Sequence, residues 1–203
     1  MPTPAPAPVP QRAATPSKRS RILRCVVIAI LCMIVMHGLI VLLAWLIIKP
    51  RPVSYTVEDG SLHGFSLAND SLNATFGITL RVNNPNHRMA LSYRSFDISV
   101  WFKDQMLAFD EIGAFQQRRR NSTRIEAKAE ARSVQLMRYV ADELNRQKKS
   151  GEIKLQIRVK ARLRFKVGIV KTGVYHLKAF CSPVVLHFNA NKWFERTYCN
   201  VDL

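Results

Sequence analysis

Acidic side chains are scarce in this chain. Asp and Glu number 14 against 31 Lys and Arg in 203 residues, a formal net charge of +17. Such an excess favours anionic partners (nucleic acid, lipid headgroups or acidic polysaccharide) and bears on solubility rather than fold. Cysteine is also sparse: there are four, and none forms a C-x-x-C pair. The signatures of common active sites are missing as well. There is no G-x-S-x-G elbow, no H-E-x-x-H and no phosphate-cradling G-x-x-x-x-G-K. His63, His87, His176 and His187 are scattered. The expectation is a non-enzyme with no catalytic, cofactor or metal site. No period of 20–50 residues recurs, which excludes a repeat protein.

Proline is concentrated at one end. Six of the ten, Pro2, Pro4, Pro6, Pro8, Pro10 and Pro16, fall in residues 1–24, which are expected to be a disordered, basic, cytosolic tail. Then comes the one long apolar run, Cys25–Ile48, 24 residues without a charge. About 20 apolar residues cross a bilayer, whereas the apolar part of a cleaved signal spans only ~7–15. Residues 25–48 are therefore expected to be a single uncleaved transmembrane helix, with Trp45 near its outer boundary. Arg12, Lys18, Arg19, Arg21 and Arg24 precede it with no acid among them; Lys49 and Arg51 follow. The cationic excess places the N-terminus in the cytosol and residues 49–203 across the membrane. Cys25, at the cytosolic boundary, is a candidate for S-acylation.

Beyond the anchor, apolar residues alternate. Leu72 to Val82, Phe96 to Phe102, Ile125 to Ala131 and Tyr175 to Cys181 each read as half-buried strands. The longest run, "EIKLQIRVKARLRFKV", sets Ile153, Leu155, Ile157, Val159, Ala161, Leu163, Phe165 and Val167 against Lys154, Gln156, Arg158, Lys160, Arg162, Arg164 and Lys166. At ~3.3 Å per residue it spans about 50 Å, so a bend or bulge is expected within it. One segment has helical spacing: Val134, Met137, Val140, Ala141 and Leu144, with Ser133 as N-cap and Gly151 as stop. Together these predict a mostly β exported domain, a two-sheet antiparallel β-sandwich with one α-helix, preceded by the transmembrane helix.

A short basic tail, one anchor, "NNPN" after a strand, "RFKVG" ending the long strand, a Cys-containing strand and a closing "CNVDL" follow one another in that order. The arrangement resembles the plant harpin-induced/non-race-specific-disease-resistance-like family, whose outer part is a late embryogenesis abundant group-two domain. Asn84-Pro85-Asn86 and Arg164 to Gly168 carry the resemblance, which covers roughly residues 20–203. It implies a fibronectin III- or immunoglobulin-like sandwich, a plasma-membrane location with the domain outside, and roles in plant defence and stress. It supplies no catalytic residues.

Further residues follow from the chain itself. Asn69, Asn73 and Asn121 begin N-glycosylation sequons, all beyond the anchor. Cys181 and Cys199 are the only cysteines outside the bilayer and form a candidate disulfide. Arg118, Arg119 and Arg120, with Lys154, Arg158, Lys160, Arg162, Arg164 and Lys166, are candidates for anionic-partner binding. Cell-wall polyanions or immune-signalling proteins are the expected partners, and the function an extracellular interaction module in defence or stress. The alternative is a carrier of lipid or a small apolar ligand, with Phe76, Leu163 and Phe165 lining a gap. Nucleic acid is not expected: the topology keeps the domain away from it. Phe165 on the apolar face also leaves the basic stripe without a stacking platform.

Overall fold

Helix α1 runs Lys18–Ile48 in the computed structural model, which describes residues 18–48, 51–188 and 192–202. Within it Arg21–Leu43 is long and apolar enough to cross a membrane. At 1.5 Å per residue these 23 residues cover about 35 Å, against a hydrocarbon core of about 30 Å. The helix starts seven residues before the expected boundary at Cys25. Residues 18–24 are helical rather than disordered, since no proline or glycine interrupts the ladder between Pro16 and the apolar run. The rest of the expected tail lies outside the described residues. Cys25 and Cys32 are free, exposed thiols on α1.

Residues from Pro50 onward form a separate compact unit. Its strands are β1 (Ser54–Ala68), β2 (Ser71–Asn84), β3 (Met89–Phe102), β4 (Gln105–Ile112), β5 (Phe115–Gln117) and β6 (Asn121–Gln135). Helix α2 (Arg138–Ser150) follows, then β7 (Glu152–Val167), β8 (Val170–Lys171), β9 (Tyr175–His187), β10 (Thr197–Tyr198) and β11 (Asn200–Asp202). All pairings are antiparallel, in the order β10-β1-β2-β6-β4-β3-β7-β9-β11, with β5 on β3 and β8 on β7. The mostly β, antiparallel architecture is as expected. Its hydrogen bonding, however, forms one continuous path rather than two separate sheets. Between β4 and β6 the ladder narrows to the single pair Phe109–Glu130.

The alternation of the strands is a burial pattern. Leu72, Ala74, Phe76, Ile78, Leu80 and Val82 of β2 are buried, as are Ile125, Ala127, Ala129 and Ala131 of β6. Ile153 through Leu163 of β7 bury every second residue. Side chains from β1 and β3, which are not neighbours in the path, meet across this core. The Tyr55 and Tyr93 hydroxyls are 2.9 Å apart, and Phe96 packs on both rings. Burial holds the Tyr55 hydroxyl well above its usual pKa and pushes Tyr93 up to about 12.

Two local readings are corrected. The β7 strand contains no bulge; its partners absorb the mismatch instead. The register shifts once against β3, between Tyr93 and Ser95, and once against β9, where Cys181 and Val184 flank Pro183. The 16-residue alternation of β7 therefore survives intact. Helix α2 begins at Arg138 with Met137 as N-cap, not at Ser133. Ser133 and Val134 belong to β6, because Leu72 pairs with Val134 and extends the ladder past the expected cap. Val140, Ala141 and Leu144 do form the buried face, and Gly151 closes the helix at φ 82°.

The C-terminal segment ties the two edges of the path together. Its β10 pairs with β1, its β11 pairs with β9, and Cys199 between them is bonded to Cys181 of β9. The Cys199 amide also donates to the Tyr55 carbonyl at 3.0 Å. A loop closed over a separation of 18 residues is worth about 3 kcal/mol in the chain-entropy picture. Cys199→Ser should lose about that much in urea denaturation of the full chain in detergent; a loss under about 1 kcal/mol would show that pairing alone holds the edges.

Candidate anion-binding surface

The outward half of β7 lies between β3 and β9, and the register sets its neighbours. Ser99 and Phe180 flank Arg158, Asp97 and Lys178 flank Lys160, and Ser95 and His176 flank Arg162. Arg158 is the most constrained of these cations. Its guanidinium lies 4.0 Å from the Trp101 ring centroid and 4.8 Å from that of Phe180. The Trp101 indole N–H donates to Ser99 Oγ at 2.9 Å, and that hydroxyl donates to the Arg158 carbonyl at 3.1 Å. Arg158 Nη2 donates to Gln156 Oε1 at 3.2 Å, while its buried Nε has no hydrogen-bond partner among the described residues. Two aromatic faces and a short hydrogen-bonded chain thus hold one cation in place on an open sheet face.

The other cations are held more loosely. Arg162 Nε donates to Ser95 Oγ at 2.9 Å. Lys154, Lys160 and Lys166 are exposed. Among the described residues no carboxylate closes an ion pair with any of the six predicted β7 cations. Asp97 is registered beside Lys160, and Asp202 beside Lys178, yet neither forms such a pair.

The predicted cations do not form one site. Arg118, Arg119 and Arg120 lie at one end of the domain, and Arg118 and Arg119 line a shallow cleft of about 500 Å³ with Ala90, Lys166 and Gly168. That end is built on the Asn-Pro-Asn turn. Asn84, fully buried, donates from Nδ2 to the carbonyls of Met89 (2.9 Å) and Arg118 (3.1 Å). Its Oδ1 accepts from the Asn86 backbone N–H (3.1 Å) and from Asn86 Nδ2 (3.0 Å). Asn86 in turn clasps Arg51, accepting from its N–H at 2.7 Å and donating to its carbonyl at 2.8 Å. The Arg120 amide donates to the Asn86 carbonyl at 3.0 Å. Partial desolvation, then the charges of Arg120, Arg51 and Arg88, hold His87 below the usual imidazole pKa, as expected of a cationic rim.

The sequons are spread over both ends. Asn69 and Asp70 are the two central residues of the β1–β2 hairpin, both at positive φ as in a type I′ turn. Asn73 is exposed on β2, its Oδ1 accepting from the Ser133 amide at 2.8 Å. Asn121 opens β6 at the opposite end, beside the Arg118–Arg120 loop, and is exposed.

The absence of a stacking platform, expected from the inward position of Phe165, is corrected. Phe165 is indeed turned inward, edge-on to Tyr175 at 5.2 Å, but Trp101 and Phe180 supply aromatic faces from the neighbouring strands. Alternation already put both rings on the outward side of their strands. That β3 and β9 flank β7 could not be read from either segment alone.

A sequence-family profile for late embryogenesis abundant proteins (LEA_2) matches residues 79–181, the stretch from β2 to the disulfide cysteine of β9. An uncharacterized Arabidopsis thaliana protein, At1g08160, is 30% identical over 192 residues, covering 93% of this chain and 87% of its own. NDR1/HIN1-like protein 2 of the same plant is 26% identical, covering 80% of this chain and 70% of its own. NDR1/HIN1-like protein 1 is also 26% identical, at 91% and 95%. With this matched domain, the chain belongs to the late embryogenesis abundant LEA_2 family; it is similar to the NDR1/HIN1-like proteins and carries an N-terminal helix long and apolar enough to cross a membrane.

Proposed function

We propose that this protein is a plasma-membrane-anchored module that exposes its β-domain outside the cell and binds acidic polymers there, in plant stress or defence. The names of its relatives support the physiological setting. The cations before the apolar run and the Cys181–Cys199 bond support an outside domain, since disulfides persist in oxidising compartments. Exposed Asn69, Asn73 and Asn121 are then available for glycosylation, and Cys25 for S-acylation. The domain acts by binding rather than catalysis, in keeping with a sequence that has none of the common active-site motifs.

The observation that carries the reading is the fixed Arg158 between Trp101 and Phe180, in a row of cations without ion pairs among the described residues. A polyuronate offers both partners at once: carboxylates for the cations and sugar faces for the rings. Nucleic acid has the same chemistry but is excluded from this proposal by the assigned topology. Of Phe76, Leu163 and Phe165, the residues a carrier would set along its gap, the first two are fully buried in the core and Phe165 is half-buried against it.

The test is retention of the full chain, in detergent, on immobilised polygalacturonate. Reversal of Lys160, Arg158 and Arg162 to Glu removes up to about 1 kcal/mol per exposed contact, roughly a hundredfold in affinity. It should also flatten the dependence on salt. Unchanged retention by that variant would make the stripe a solvated surface and nothing more.

A further inference from the structure

We infer that the end of the domain bearing Arg51 docks onto the bilayer in which the chain is anchored, with the β7–β8 hairpin tip entering the interface and the surrounding cations holding phospholipid headgroups. This surface is distinct from the outer face of β3, β7 and β9 and does not depend on its binding polyuronates.

Three observations converge on it. First, two residues, Lys49 and Pro50, separate the last residue of α1 from Arg51. At full stretch such a segment reaches about 10 Å. Arg51 is fastened into the domain through Asn86, so by chain connectivity the end that carries the Asn-Pro-Asn turn is the one joined to α1 by this short segment.

Second, the tip of the β7–β8 hairpin at that end is apolar and uncovered. Val167 pairs with Val170, so Gly168 and Ile169 make a two-residue turn, with Gly168 at φ 59°. Ile169 is 96% exposed and Val170 64%. Val174 and Tyr175 continue the exposed strip. A large aliphatic side chain set at a turn apex contributes nothing to the core, whereas the headgroup–acyl boundary would bury it.

Third, the tip is surrounded by positive charge. Lys166 and Lys171 are paired across the hairpin, and Arg118 and Arg119 line the adjoining cleft. The segments that build this end, residues 51–57, 84–96, 113–125 and 161–176, contain no Asp or Glu at all. Cations around an exposed apolar apex match a lipid surface, where phosphates meet the cations and acyl chains the apex. A soluble polyanion would leave Ile169 in water.

Spin labelling of the full chain in nanodiscs tests this. A label at Ile169→Cys, in a Cys25→Ser, Cys32→Ser background, should be more accessible to oxygen than to a nickel chelate when the disc contains phosphatidylglycerol. A label at Asn69→Cys, at the opposite end, should stay aqueous. Each cation near an anionic surface is worth about fivefold in occupancy. Lys166→Glu with Lys171→Glu should therefore return the Ile169 label to water, and pure phosphatidylcholine discs should weaken its immersion without any mutation. Reversal of Arg158 and Arg162 should leave it immersed, which separates this surface from the polyuronate face. An aqueous label at 169 in anionic discs would overturn the inference. Immersion that survives the paired lysine reversal would overturn it too, because the cations would then have no part in docking.

Discussion

Asn84→Ala should lower the unfolding free energy of the domain by about 4 kcal/mol, roughly 1 kcal/mol for each of four hydrogen bonds, three buried and one part-buried. The side chain is fully buried and uses both donors and its acceptor. Its removal takes the partner from the Met89 carbonyl, the part-buried Arg118 carbonyl and the Asn86 backbone N–H, while Asn86 Nδ2 keeps its bond to Arg51; orphaned polar groups cost more than the bonds contributed. The isosteric Asn84→Asp is the sharper probe. It keeps the acceptor for Asn86 but points a carboxylate at two carbonyl oxygens 2.9 and 3.1 Å away. At neutral pH it should destabilise at least as much as alanine. Acidification should restore part of the loss, because a protonated carboxyl can donate to one of those carbonyls. Chemical denaturation of the full chain in detergent, at neutral and acid pH, measures both. Equal stability of wild type and Asn84→Ala would mean that the turn is held by its proline alone. Hydrogen exchange adds a local readout: the Arg51, Asn86 and Arg120 amides should lose protection together, since all three are held through this knot.

The knot also shows what the sequence could and could not disclose. Asn84-Pro85-Asn86 was legible as a turn and as the mark of a family, but its target was not. Nothing in the local sequence says that Asn86 grips Arg51, 35 residues earlier, or that Asn84 reaches Arg118, 34 residues later. The strands were legible for the opposite reason. Period-2 alternation is local, so β2, β3, β6 and β7 could be read with their buried faces. Where tertiary pairing overrode the local signal, the reading slipped. Ser133 looks like a helix cap until Leu72 pairs with Val134. The length of β7 suggested a bulge that the register places in β3 and β9. The candidate site was half legible: every cation of the stripe was visible, but not the aromatic clamp on Arg158. Nor was the division of the cations between an open sheet face and a rim around Ile169.

Phe96→Ala should cost about 4 kcal/mol, the usual range for emptying a buried aromatic site. Phe96 is fully buried and joins strands that are not neighbours in the hydrogen-bonded path. Its ring lies 6.2 Å from Tyr55 of β1, 5.7 Å from Tyr93 of β3 and 5.7 Å from Phe115 of β5. Its partner in register on β7 is the small Ala161, which cannot reach into the space. Phe96→Leu should cost under about 1.5 kcal/mol, and a similar small loss from alanine would show that the aromatic cluster does not fix the packing. The same substitution separates stability from binding. On β3, Phe96 faces the core while Trp101 faces outward beside Arg158. Below its lowered melting temperature, Phe96→Ala should therefore keep the wild-type salt dependence on polygalacturonate. Reversal of Lys160, Arg158 and Arg162 should do the reverse, flattening that dependence while leaving stability within about 1 kcal/mol, as expected for surface charges. A Phe96→Ala protein that stayed folded but lost the salt dependence would mean that the clamp on Arg158 depends on the core packing beneath it.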